Sequence, residues 1–176
     1  MTFTRRKVLG LTVAGASLGL MPRLSFADSI GDVILGVSAP ITGNQAQYGQ
    51  DIKAGVELAA QQLNESKQVP GANFKIVVED SKGDPQEAAN VAQKFASRGD
   101  VMAVVGDFSS TACLAAAPIY QRSGIIMITP TASHPDITKT GDYIFRNTPI
   151  ASSEAGAVVD WGTKDLGFKK VAIIGR

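Results

Sequence analysis

One cysteine and one histidine in 176 residues leave little material for thiol or metal chemistry. Cys113 has no second cysteine to join, so no internal disulfide forms and stability must come from the core, where a cysteine sits comfortably as a small apolar residue. His134 stands between Ser133 and Pro135, in a different segment from Cys113, and the two offer no ligand spacing for a metal. No G-x-x-x-x-G-K-[ST] loop occurs and no G-x-G-x-x-G follows the first strand, so the usual phosphate cradles are missing and no cofactor is expected. Ser109 or Ser110 with His134 and Asp136 would supply the residue types of a nucleophilic triad. Neither serine, however, lies in a G-x-S-x-G elbow, and no catalytic residue is assigned. Solenoid repeats are absent as well.

What is present begins with an address. Arg5-Arg6-Lys7 precede an apolar stretch from Val8 to Met21, and Ser25-Phe26-Ala27 is a small-x-small cleavage site. Residues 1–27 therefore read as a twin-arginine signal peptide. The stretch is too short for a stable membrane span, and Pro22 and Arg23 follow it instead of a stop-transfer pattern. No lipid-attachment cysteine lies near the cleavage site, so a soluble periplasmic protein is expected. Cleavage after Ala27 leaves about 149 residues, one ordinary domain's worth. It also removes Arg5, Arg6, Lys7 and Arg23, which brings the net charge to about −3 and disfavours nucleic acid or an anionic membrane as partner.

From Val33 onward, short β-rich apolar runs alternate with longer amphipathic stretches, the pattern of an α/β fold whose parallel sheet is flanked by helices. Strands are predicted at Val33–Val37, Phe74–Val78, Val101–Val105, Ile125–Ile128 and Val171–Ile174. Most of these runs are continuous in apolarity, as strands covered on both faces require. Asp84-Pro85-Gln86-Glu87 combines an N-cap, proline at the first helical position and an early carboxylate, ahead of an apolar stripe of Ala88, Val91, Ala92 and Phe95. Ile52, Val56, Ala59, Ala60 and Leu63 mark an earlier helix. Ala112–Tyr120 marks a third, which Pro118 could shorten or kink. Beyond the fourth strand come a polar loop (Thr129–Gly141), a short extended piece (Tyr143–Phe145) and a helix over Ala151–Leu166. A linker near Arg146–Pro149 divides residues 28–147 from residues 148–176, which read as the opening of a second, incomplete domain.

Ligands of open parallel sheets bind beyond the carboxyl ends of the strands. Three loops qualify. Ser38–Gly49 is long for a strand-to-helix connection and contains Tyr48, which either walls a site or staples the helix behind it. Gly106–Thr111 brings Phe108, Ser109 and Ser110 to a helix start, suited to an anion or to plain capping. Thr129–Pro135 adds Thr131 and Ser133, whose hydroxyls either meet a ligand or satisfy the turn. Glu79, Asp80 and Asp84 cluster at a strand end, where turn and capping duties account for them.

Four motifs in order carry a resemblance: Gly36-x-x-x-Pro40-x-x-Gly43 with Gln47-Tyr48-Gly49, Asp80-x-x-x-Asp84-Pro85-x-x-Ala88, Gly106-Asp107-x-Ser109-Ser110, and Ile128-Thr129-Pro130-x-Ala132-Ser133. From about Val33 to its end the chain resembles the leucine/isoleucine/valine-binding receptors of ABC importers. The resemblance implies a type I periplasmic-binding-protein fold of two α/β lobes that close over a ligand. Residues 28–147 would be the first lobe and residues 148–176 the start of the second, truncated one. It also implies that Ser110 holds a ligand carboxylate, that Thr131 and Ser133 hold the α-ammonium and carboxylate, that Tyr48 walls the side-chain pocket, and that Phe108 and Ser109 line the cleft. The function implied is capture of an amino acid, a branched-chain one first, or of a related amide, by a monomeric receptor that delivers it to ABC permease subunits. The alternative is a module that reports its ligand to a partner receptor. A disulfide found in some relatives has no counterpart, since Gly83 and Ser109 occupy its positions. Second-lobe contacts have no counterpart either, so this segment alone is expected to bind amino acids weakly or not at all.

Overall fold

The computed structural model describes residues 30–172. In chain order it contains β1 (Gly31–Ala39), α1 (Ala46–Ser66), β2 (Ala72–Asp80), α2 (Pro85–Arg98), β3 (Val101–Gly106), α3 (Ser110–Ser123), β4 (Ile126–Thr129), a 3₁₀ turn (Ile137–Thr140), β5 (Ile144–Arg146) and α4 (Ala151–Asp160), which runs into a π-helical turn over Trp161–Asp165. The strands form one sheet in the order β2-β1-β3-β4-β5, and every neighbouring pair is parallel. The four strand expectations from Val33 to Ile128 hold, with ends displaced by a few residues. The helix expected over Ala151–Leu166 changes character at Trp161, where i→i+5 bonding replaces the α pattern. Val171 and Ala172 carry no regular structure, and residues 173–174 of the Val171–Ile174 strand expectation lie outside the described residues, as does the signal segment 1–27.

Local chemistry explains the helix ends. The Asp84 carboxylate accepts from the Gln86 amide at 2.8 Å and the Glu87 amide at 3.0 Å, Pro85 opens α2, and Gly99 closes it with φ of +73°. Asp84→Ala is expected to remove about 1 kcal/mol of stability, seen as a fall of several degrees in the thermal unfolding midpoint. Helix α3 continues through Pro118 to Ser123, so the proline neither shortens nor ends it.

The two sheet faces are covered unequally. Helices α2 and α3 pack together over one face, where Phe95, Val104, Ala112, Cys113, Ala116, Ala117, Tyr120 and Met127 form the densest part of the core. Side chains alternate along a strand, so Leu35 and Val105 point the other way. There they meet Ile52, Val56, Ala59 and Leu63 of α1 around a groove of about 330 Å³. Ile126 and Phe145, on this second face, remain exposed.

Candidate functional site

The path of the chain reverses across the sheet at β1: β2 lies on one side of it and β3 on the other. In sheets of this kind ligands bind at such a reversal, outside the carboxyl ends of the strands, and all three loops lie at that end.

The first loop leaves β1 at Pro40. Its anchor is Asp80, the last residue of β2, whose carboxylate accepts from the Ile41 amide at 2.9 Å, the Thr42 amide at 3.3 Å, the Thr42 hydroxyl and the Lys82 amide at 2.9 Å. Partial burial raises the Asp80 pKa, but those donors outweigh it and hold the carboxyl below its ordinary value. Asp80 and Asp84 thus perform the turn and capping duties expected of them, whereas Glu79 forms an ion pair with Lys94 at 2.7 Å. Gly49 lets α1 approach the loop. A Cβ there would stand 2.1 Å from the Pro40 carbonyl oxygen.

The second loop connects β3 to α3. Ser109 is the N-cap, accepting from the Ala112 amide at 3.1 Å. Ser110, the first residue of α3, is half-buried, and its hydroxyl makes no hydrogen bond among the described residues. The amides of this first helical turn have no partner within the helix and carry the positive end of its dipole. Phe108 stacks on Tyr48 with ring centroids 4.3 Å apart and planes 13° from parallel, which joins the first two loops.

Thr131 ties the third loop to the second by donating from its hydroxyl to the Phe108 carbonyl at 2.9 Å. The Ser133 carbonyl accepts from the Ala151 amide at 3.0 Å, so its amide and hydroxyl are the groups left for a ligand. Arg146 pins the far side of this loop through the His134 carbonyl (2.9 Å), the Pro135 carbonyl (3.2 Å) and the Thr138 hydroxyl (2.9 Å).

Of the six residues singled out from the sequence, Phe108, Ser109, Thr131 and Ser133 stand on these loops, whereas Tyr48 lies in the first turn of α1 and Ser110 opens α3; Tyr48, Phe108 and Thr131 are in direct contact through Phe108. Ser109 is absorbed by capping and Thr131 by the loop bridge, whereas Ser110 is open. The triad arrangement does not form. His134 accepts from the Asp136 amide at 3.2 Å, Asp136 pairs with Lys139 at 2.7 Å, and the Ser109 hydroxyl serves α3. No cluster of potential metal ligands occurs among the described residues, and none of their helices is long and apolar enough to cross a membrane. Residue-type reasoning missed Asp107, Thr129 and Arg146, which hold the loops in place. The Gly106-Asp107 pair was visible as part of a motif, but nothing local marks the aspartate as buried.

Comparison with known proteins agrees with this geometry. The periplasmic binding protein family matches residues 32–176. The Leu/Ile/Val-binding protein homolog 3 of Brucella melitensis biotype 1 is 30% identical over 166 residues, covering 90% of this chain and 45% of that relative. Among solved structures, the branched-chain amino acid transporter substrate binding protein LivJ from Streptococcus pneumoniae, in complex with isoleucine, superposes with a TM-score of 0.71 at 28% identity, covering 77% of this chain and 39% of its own. A solute binding protein of an ABC transporter from Rhodopseudomonas palustris BisB5, in complex with 3,4-dihydroxy benzoic acid, gives a TM-score of 0.69 at 25% identity, covering 76% of this chain and 36% of its own. The chain spans less than half the length of the curated relatives it matches. Its parallel sheet with helices on both faces is one lobe of the type I periplasmic-binding-protein fold, and the chain belongs to the periplasmic binding protein family.

Proposed function

We propose that this chain carries the first ligand lobe of an extracytoplasmic receptor that captures an amino acid, branched-chain in the first instance, and delivers it to the permease subunits of an ABC importer. The observation that carries the reading is the Ser110 hydroxyl, unbonded among the described residues at the head of α3, beside loops whose other polar groups largely hold one another together. A ligand carboxylate at that position would gain the hydroxyl, the unpartnered amides and the helix dipole at once. Thr131 and Ser133 then offer main-chain groups and the Ser133 hydroxyl to the α-ammonium and carboxylate. The Tyr48–Phe108 stack supplies an apolar wall, and Ser109 contributes through its place in the loop.

Residues 28–147 form this lobe and residues 148–176 begin the second one in the same reading. Its support is the apolar, solvent-facing surface of Val158, Val159, Trp161, Phe168 and Val171, together with relatives more than twice as long. Export through the twin-arginine segment, with cleavage after Ala27, completes the proposal.

Isothermal titration of the two-lobed receptor that carries this lobe, with L-leucine, L-isoleucine, L-valine and 3,4-dihydroxybenzoate, tests it; the lobe alone is expected to bind weakly or not at all. An aliphatic amino acid is expected to bind most tightly, and Ser110→Ala to weaken it about 10- to 100-fold, the range of a hydrogen bond to a charged group. Equal binding by Ser110→Ala would overturn the assignment of the carboxylate site. Preference for the aromatic acid would overturn the ligand class.

A further inference from the structure

We propose that Asp107 is a positioning residue, whose buried side chain and main chain fix the Phe108–Ser110 segment in the conformation that presents the Ser110 hydroxyl. The functional part of this inference rests on the ligand site proposed above. The structural part stands without it.

Asp107 is 1% exposed and joins no ion pair among the described residues. A carboxylate taken out of water without a counter-charge is unfavourable unless hydrogen bonds compensate it. Here the compensation comes from the loop itself. One carboxylate oxygen accepts from the Phe108 amide at 2.6 Å, and the other from the Ser38 hydroxyl of β1 at 3.2 Å. Its carbonyl accepts from the Thr129 hydroxyl of β4 at 2.9 Å and from the Cys113 thiol of α3 at 3.4 Å, while its amide reaches the Cys113 sulfur at 3.2 Å. One residue therefore ties β1, β4 and α3 to the peptide unit that precedes the helix cap. Burial pushes the Asp107 carboxyl above its ordinary value, although the Ser81 and Ser38 hydroxyls and the Phe108 and Ser109 amides act against that shift.

An apolar side chain would fill this space without desolvating a charge, so filling the core does not account for an acid here. What the acid adds is an acceptor on the Phe108 amide. Because the Phe108 carbonyl receives the Thr131 hydroxyl and its ring stacks on Tyr48, the setting of this single peptide unit reaches all three loops.

The test compares Asp107→Ala with Asp107→Asn, reading urea unfolding and hydrogen exchange in the absence of ligand, and affinity for L-leucine in the two-lobed receptor that carries this lobe. Asparagine keeps an acceptor for the Phe108 amide and is expected to retain wild-type protection there. Alanine is expected to accelerate exchange of the Phe108, Ala112 and Cys113 amides by about tenfold or more while leaving the amides of α2 unchanged, and to weaken L-leucine binding by a similar factor. Unchanged exchange in Asp107→Ala would overturn the proposal, as would equal acceleration throughout the molecule, the signature of a merely structural role. Should Asp107→Ala fail to fold, Thr129→Val and Ser38→Ala replace it. Each removes one donor to Asp107 and is expected to accelerate the same three amides selectively, and no acceleration in either would overturn the proposal. If the wild-type two-lobed receptor binds no L-leucine, the ligand reading fails while the exchange result still decides the role of Asp107.

Discussion

Alanine at Gly106 is expected to be among the most destabilising single substitutions in this chain and to abolish the site with it. The added Cβ would stand 1.9 Å from the Ser38 carbonyl oxygen and 2.9 Å from its carbonyl carbon. These are backbone atoms of a paired strand, since Ser38 and Gly106 face each other in the β1–β3 ladder, and they cannot swing away as the end of a side chain does. Relief requires parting the two strands whose ends carry the first and second loops. Overpacking of this kind costs roughly 1–3 kcal/mol. The φ of +141° at Gly106 lies where side chains are rarely accommodated, and such a conformation adds about 1–3 kcal/mol. Their sum approaches the whole stability of a marginal domain. Gly99 supplies the control: its φ is +73°, but a Cβ there meets nothing within 4 Å, so Gly99→Ala carries only the conformational part. Urea unfolding should therefore rank Gly106→Ala far below Gly99→Ala, and equal midpoints would show that the β1–β3 approach is looser than described.

Phe95→Ala is the second large effect, at about 3–5 kcal/mol for loss of a fully buried ring and the cavity it leaves. Phe95 is 0% exposed and packs against β1, two of its ring carbons 3.0 and 3.1 Å from where a Gly36 side chain would begin. The absence of a side chain at Gly36 is what lets α2 seat this ring on the sheet. Gly36→Ala alone should consequently destabilise by pressing on Phe95 and Val104, both 3.0 Å from the new carbon. In the Phe95→Ala background the same methyl enters vacated space. A double-mutant cycle is expected to give a coupling of about 0.5–3 kcal/mol in the favourable direction; strict additivity would show that the helix collapses onto the strand and closes the cavity.

The elements with strong local signals were readable in advance. Asp84-Pro85 begins α2 and Gly99 ends it through interactions contained within a few residues, so their geometry is a property of that short segment. The apolar runs of β1 to β4 were readable from their continuous apolarity, although the expectation of cover on both faces holds only in part, since Met102 of β3 and Ile126 of β4 stay exposed. The π-helical turn over Trp161–Asp165 was not readable, since no residue type there separates i→i+5 from i→i+4 bonding. Among the site residues, Ser109, Ser110 and Thr131 look alike in sequence: hydroxyls at strand ends. Only the fold separates them, because whether a hydroxyl is occupied depends on which amide or carbonyl arrives beside it. For Thr131 that partner is Phe108, 23 residues earlier.

The sequence by itself therefore determined the alternation of strands and helices, the helix caps and the placing of three loops at the carboxyl ends of the strands. Each of these follows from short-range sterics, capping and hydrophobic pattern. Tertiary structure decided the burial of Asp107, the stacking of Tyr48 on Phe108 and the freedom of Ser110. Those arise from the register of β1 against β3 and of β3 against β4, which brings together residues as far apart as Ser38 and Asp107 and sets the local solvent access that no short segment encodes.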